Sequence, residues 1–132
     1  ILRKDKLQFI SGALGEPMLQ VDAALLACLK RSNFHIAIET NGTLPVIGGV
    51  DWISVSPKTA RLAQRSGNEL KFVFPQDELE PGQFSQLDFE HFIVQPLDDP
   101  AEPENIRRAL DFVLANPEWR LGLQIHKYLD ID

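Results

Sequence analysis

Two strand-helix-strand units, one near each end of the chain, constrain the fold more than any other feature of the sequence. An apolar strand candidate at Leu7 to Ser11 runs into the glycine-punctuated turn Ser-Gly-Ala-Leu-Gly-Glu-Pro. From Gln20 to Ser32, Val21, Ala24, Leu25, Cys28 and Leu29 recur at the spacing of one helix face. Asn33 is a candidate left-handed stop, and a second strand follows from His35 to Thr40. Near the other end, Ile106, Ala109, Leu110, Val113 and Leu114 form another helical stripe. It is entered through the proline-rich linker Pro96 to Pro103, left at Asn116-Pro117, and followed by a strand candidate from Arg120 to His126. Trp52 to Ser56, Leu70 to Phe74 and Phe92 to Gln95 supply the strands between, and Pro75 to Gln86 reads as exposed loop. Such units predict an α/β fold of one domain over residues 1–132, with a mostly parallel sheet and helices outside it.

The strands themselves are amphipathic. Parallel strands covered on both faces normally read as continuous Val, Ile and Leu. Here Ile36 and Ile38 share one face while Glu39 and Asn41 share the other. Ile53 and Val55 likewise oppose Ser54 and Ser56, and Leu121, Leu123 and Ile125 oppose Arg120, Gln124 and His126. Side chains such as Glu39, Ser56, Lys71, Gln95, Gln124 and His126 are costly in a dry core, so a polar ligand or a solvated cleft belongs against that face. An antiparallel sheet with one wet face satisfies the same pattern, and periodicity leaves both open.

Composition removes several classes of function. The length of 132 residues suffices for a core without disulfides or a structural metal, and no apolar run approaches the roughly 18 residues that span a bilayer. Thirteen basic and nineteen acidic residues give a net charge of -6 without a basic cluster, which argues against nucleic acid as a partner. A single cysteine suits a reducing cytoplasm and supplies neither an internal disulfide nor a multi-cysteine metal site. On the stripe of the first helix, Cys28 reads as a core residue. The chain opens at Ile1 and enters a strand-like run almost at once, as expected of a segment of something longer.

Taken singly, the short motifs admit structural readings. Gly15-Glu16-Pro17 is an ordinary helix entry, with proline near the first position and an acid in the first turn. Its glycine would also let a backbone approach a ligand closely. Glu39-Thr40-Asn41-Gly42-Thr43 gathers an acid, an amide and two hydroxyls at a strand end, although Asn-Gly is a strong turn dipeptide. Ser56-Pro57-Lys58 and Gln95-Pro96 end strands in the same way. His35 and His91 sit at strand starts and look superficial, whereas His126-Lys127 lies close to the terminal Asp132.

In order, Gly15-Glu16-Pro17-Met18-Leu19-Gln20, Ile38 to Thr43, Ser54 to Lys58, Glu69-Leu70-Lys71, Val94-Gln95-Pro96 and Trp119 to Lys127 resemble the 7-carboxy-7-deazaguanine synthases, a radical S-adenosylmethionine family. The resemblance covers essentially the whole chain and corresponds to the carboxyl-terminal two-thirds of such an enzyme. It implies an incomplete, modified β/α barrel whose lumen is the polar sheet face. It also implies a carbon-nitrogen lyase that contracts 6-carboxytetrahydropterin to 7-carboxy-7-deazaguanine, in queuosine and other deazapurine biosynthesis. Under the same resemblance Gly15, Glu16, Ser56, Lys58 and Gln95 would hold S-adenosylmethionine, and Ser11, Glu39, Asn41, His126 and Asp132 would meet the substrate. A [4Fe-4S] cluster, Mg2+ and an external electron donor are implied as well, and a truncated barrel that leaves an apolar sheet edge exposed is expected to self-associate, as a homodimer. The cysteine loop that holds such a cluster, and the magnesium-binding hydroxyl beside it, do not occur in this chain, and Ala13 and Leu14 lengthen the first turn by two residues. The isolated chain is therefore expected not to turn over. A degenerate module that binds a nucleoside, a pterin or a protein without catalysis is the alternative.

Overall fold

The structure, a computed structural model, describes residues 6–10 and 15–123. Among the described residues six strands, β1 (Lys6–Ile10), β2 (Phe34–Thr40), β3 (Trp52–Val55), β4 (Ser66–Phe74), β5 (Asp88–Pro96) and β6 (Trp119–Leu121), form one sheet in sequential order. Every neighbouring pair is parallel, which removes the antiparallel alternative. Helix α1 (Ala23–Arg31) connects β1 to β2, and α2 (Glu102–Ala115) connects β5 to β6. A parallel sheet with external helices is the expected class, that of a partial β/α barrel.

Alternation along the strands separates two environments. On β4, Leu70, Phe72 and Phe74 are buried beside Val55, Val94, Ala109 and Trp119, with Phe112 and Val113 of α2 packed against them. Glu69, Lys71 and Val73 of the same strand are only half-buried and belong to the opposite face. On β2, Ile36 and Ile38 pack with Val21 and Leu26 of the α1 side, which leaves Glu39 to the polar face. The wet face foreseen from the strand pattern is therefore one face of a parallel sheet.

Helix α1 departs from its expected phase. A short 3-10 turn at Pro17–Leu19 precedes it, and Asp22 caps it by accepting from the Leu25 N–H at 2.8 Å. Val21 thus lies outside the helix, and a stripe counted from it is out of register. Leu26 and Leu29 turn inward, while Ala24, Leu25 and Cys28 face solvent, so the expectation of a core cysteine is corrected. Asn33, at φ 61°, does stop the helix in the left-handed region.

The stretch from Pro75 to Gln86, expected as exposed loop, carries part of the core. Leu79, Pro81 and Phe84 are buried, and the Phe84 ring lies 5.7 Å from that of Phe72. A 3-10 turn at Pro81–Phe84, closed by reciprocal contacts between Glu80 and Gln83, folds these side chains under the sheet. His91 is likewise not at a strand start. It sits within β5, half-buried, with its ring stacked 6.1 Å from Trp52, whereas His35 is exposed as expected.

Candidate functional site

Parallel strands put all their carboxyl ends at one edge of the sheet, so the loops that follow them converge there. At that edge lies an open cavity of about 500 Å³, a size that accommodates a cofactor or small substrate. Seven of the residues singled out in the sequence line it: Gly15 and Glu16 after β1, Glu39 and Asn41 at the end of β2, Ser56 and Lys58 after β3, and Gln95 near the end of β5. Thr40, Lys71 and Val73 complete the lining. Ser11, His126 and Asp132 lie outside the described residues. Lys71 was legible as a polar-face residue, but nothing local in the sequence announced its partner.

Glu16 is the most connected of these groups. Its carboxylate accepts from its near neighbour, the Met18 N–H, at 3.1 Å, and from the Asn41 N–H at 2.8 Å. It also accepts from the Thr40 hydroxyl. The buried Thr40 oxygen in turn accepts from the Gly42 N–H at 3.1 Å. Glu16 thus caps the 3-10 turn and ties the loop after β1 to the end of β2. A carboxylate offers about four acceptor positions. Among the described residues three are used, which leaves one for a ligand N–H at the cavity.

Two glycines serve this arrangement. Gly15 has φ +134° with open space around its missing side chain, so its main chain is presented at the cavity in a conformation other residues rarely adopt. Gly42 has φ +78°, and a Cβ there would meet Val55 Cγ1 at 2.7 Å. Its carbonyl accepts from the Ala63 and Gln64 N–H groups at 2.9 and 3.0 Å, which anchors the loop after β3 to the end of β2. Asn41-Gly42-Thr43 is also a side-chain-braced turn, since Asn41 Oδ1 accepts from the Thr43 N–H and hydroxyl at 2.9 and 2.7 Å.

Charge inside the cavity comes in a fixed pattern. Lys71 Nζ lies 2.8 Å from Glu39 Oε1, each side chain about a quarter exposed. Beneath this pair the Ser54 hydroxyl donates to Glu69 Oε1 at 2.8 Å. Lys58 is exposed at the rim.

These residues suit an amino-acid-like ligand head with a polar heterocycle. Glu16 offers an acceptor to an ammonium group, Gly15 leaves its main chain open to the cavity, and Ser56 and Gln95 supply side-chain donors and acceptors in the same lining. They do not suit an iron-sulfur cluster, which needs several thiolates. The sequence holds one cysteine, Cys28, and it is exposed on α1. Among the described residues no group of three His, Cys, Asp or Glu side chains is placed to hold a metal ion, and no helix is long and apolar enough to cross a membrane.

No family model matches the chain. It is, however, 50% identical over 125 residues to a curated 7-carboxy-7-deazaguanine synthase of Burkholderia multivorans, covering 94% of this chain and 60% of that protein. The corresponding synthase of Caulobacter vibrioides is 49% identical over 128 residues, covering 96% of this chain and 60% of its own length. That of Bordetella pertussis is 51% identical over 118 residues, covering 89% and 56%. The family resemblance read from the ordered motifs is therefore a sequence similarity that runs along almost the whole chain, and the chain spans about 60% of the relatives' length.

Proposed function

We propose that this chain is the cavity-forming part of a 7-carboxy-7-deazaguanine synthase, a lyase that contracts a carboxylated tetrahydropterin to a deazapurine in queuosine biosynthesis. The observation that supports this most directly is convergence. Residues from five of the six motifs, dispersed along a chain about 50% identical to curated synthases, line one polar cavity. Gly15 and Glu16 hold the ammonium group of S-adenosylmethionine, while Ser56, Lys58 and Gln95 hold its nucleoside side. Glu39 and Asn41 meet the pterin, together with Ser11, His126 and Asp132. S-adenosylmethionine supplies a reactive adenosyl group when bound; the side chains of this chain orient it and shape the wall against which the substrate lies.

The ligands of the iron-sulfur cluster and of Mg2+ come from outside these 132 residues. With one cysteine, the chain by itself performs no turnover. The complete enzyme takes electrons from an external donor in the cytoplasm and works as a homodimer. Leu110 and Leu114, one turn apart and exposed on α2, are consistent with self-association, and a monomer in light scattering would count against it.

Calorimetric titration of the 132-residue chain with S-adenosylmethionine tests the assignment. Binding that is weakened about tenfold or more by Gln95→Ala and by Ser56→Ala is expected. Heat that both variants leave unchanged, or no heat at all, contradicts it. The single cysteine also favours a second reading, a binding module without catalysis. Turnover by an assembly in which another polypeptide supplies the cluster would eliminate that reading.

A further inference from the structure

Three charged groups share the polar face of the sheet in an arrangement with two possible pairings. Glu39 of β2 is registered with Ser54 of β3, and Ser54 with Glu69 of β4, so the two carboxylates lie on one rung with a serine between them. Lys71 is two residues beyond Glu69 on the same strand and the same face, within easy reach of it. Its ammonium nevertheless reaches across β3 to Glu39, at 2.8 Å. Glu69 is occupied instead by the Ser54 hydroxyl, also at 2.8 Å. The serine ties down one oxygen of the nearer acid.

We propose that Lys71 is a positioning residue that holds the Glu39 carboxylate at the cavity, and that Ser54 keeps Lys71 on Glu39 by fixing the orientation of the Glu69 carboxylate. Lys71 engages one Glu39 oxygen, which leaves Oε2 to accept from a ligand N–H. The ligand class this fits is a neutral heterocycle with an amidine-like N–H edge. Two further Lys71 N–H donors remain for a carbonyl or carboxylate on the same molecule. Identification of that heterocycle as a pterin rests on the function proposed above. The role of Ser54 does not, because its hydroxyl acts on the wall and is not among the cavity-lining groups.

A double-mutant cycle between Glu39→Gln and Lys71→Met, read by urea unfolding of the 132-residue chain at low salt, measures the pairing without any ligand. The expected coupling is about fivefold in the unfolding constant. In a Ser54→Ala background it should fall below about twofold, because Glu69 then competes for the ammonium, and Ser54→Ala combined with Glu69→Gln should restore it. No coupling in the parent, or coupling that Ser54→Ala leaves unchanged, overturns the proposal. If Lys71→Met does not fold, Lys71→Gln closes the same cycle. Fluorescence titration with 6-carboxypterin adds the ligand readout, with binding about tenfold weaker in Lys71→Met and within about threefold of the parent in Lys71→Arg. Equal weakening in both variants argues against positioning through charge. Failure of the parent to bind 6-carboxypterin refutes the pterin assignment, and the unfolding cycle then decides the positioning role alone.

Discussion

Replacing Glu16 by alanine removes the acceptor that joins the loop after β1 to the end of β2. The loss can be assembled bond by bond. The Met18 N–H is an orphan donor at a helical start, and losing such a cap costs about 1 kcal/mol. The Asn41 N–H, 2.8 Å from the carboxylate, loses a charge-assisted bond, nominally about 1.5–3 kcal/mol. Glu16 is only half-buried, so water replaces much of that, and about 1 kcal/mol remains. The Thr40 hydroxyl keeps its bond from the Gly42 N–H and can turn its proton toward solvent, which adds little. The total is about 2 kcal/mol, equivalent for a chain of this size to a fall in Tm of roughly 6–10 °C. Thermal and urea unfolding followed by circular dichroism should show that loss with an unchanged urea slope. Glu16→Gln, which keeps one carbonyl acceptor, should lose about half as much. A Glu16→Ala variant within about 0.5 kcal/mol of the parent would refute the idea that this carboxylate braces the site. The same brace sets the main chain of Gly15, so S-adenosylmethionine binding should weaken in Glu16→Ala even where the protein remains fully folded.

Other perturbations separate neighbouring parts of the structure. Phe84→Ala, at a ring 2% exposed and set against Phe72, should destabilise the chain by about 3–5 kcal/mol in urea unfolding; a change below about 1 kcal/mol would return the 75–86 stretch to the exposed loop expected from sequence. Gly42→Ala must adopt φ near +78° and push Val55 aside, so a loss of about 2 kcal/mol or more is expected, and a neutral result would mean that the turn after β2 is not held as described. Asp51 accepts from the Ile36 N–H at 2.7 Å and from Lys30, and the backbone bond first and the ammonium second hold its carboxyl below the ordinary value of 3.8. Its contribution is therefore present above that value and lost as pH falls through the lowered folded one. Asp51→Asn should cost up to about 1 kcal/mol at pH 7, and the gap to the parent should close in acid; a gap that persists below both values would show that the charge is not responsible.

Much of this architecture was legible because it depends on short-range pattern. The strands at His35 to Thr40 and Trp52 to Ser56 were placed to within one residue, since each is bounded by turn residues and alternates cleanly. The polar face followed from the same alternation, and with it the side of the sheet on which Glu39, Ser56 and Gln95 would meet. What escaped depended on local capping or on contacts remote in sequence. The phase of α1 was lost because a 3-10 turn and the Asp22 cap separate Val21 from the helix, so counting through it misplaced Cys28. Burial of Phe84 depends on a ring donated by a different strand, and a proline-rich, acidic stretch gives no periodic sign of that. Lys71 pairs with Glu39 of another strand while Glu69 accepts from Ser54 of a third, a choice of partners that no pattern along β4 could reveal.

The motifs also show why structural and functional readings of a short sequence need not compete. Gly15-Glu16-Pro17 is a helix entry, and Glu16 caps the turn as that reading requires. Asn41-Gly42-Thr43 is a turn, held by its own side chain. Each local role fixes a group that the cavity then uses: the cap aims one remaining carboxylate lone pair, and the tight glycine lets the loop after β3 close onto the end of β2. A parallel sheet in sequential order multiplies the effect, because each successive strand delivers its carboxyl end beside the last. The site therefore lies where several ordinary strand ends are stacked in register. A change that slips one strand should disable it even with every cavity-lining residue intact.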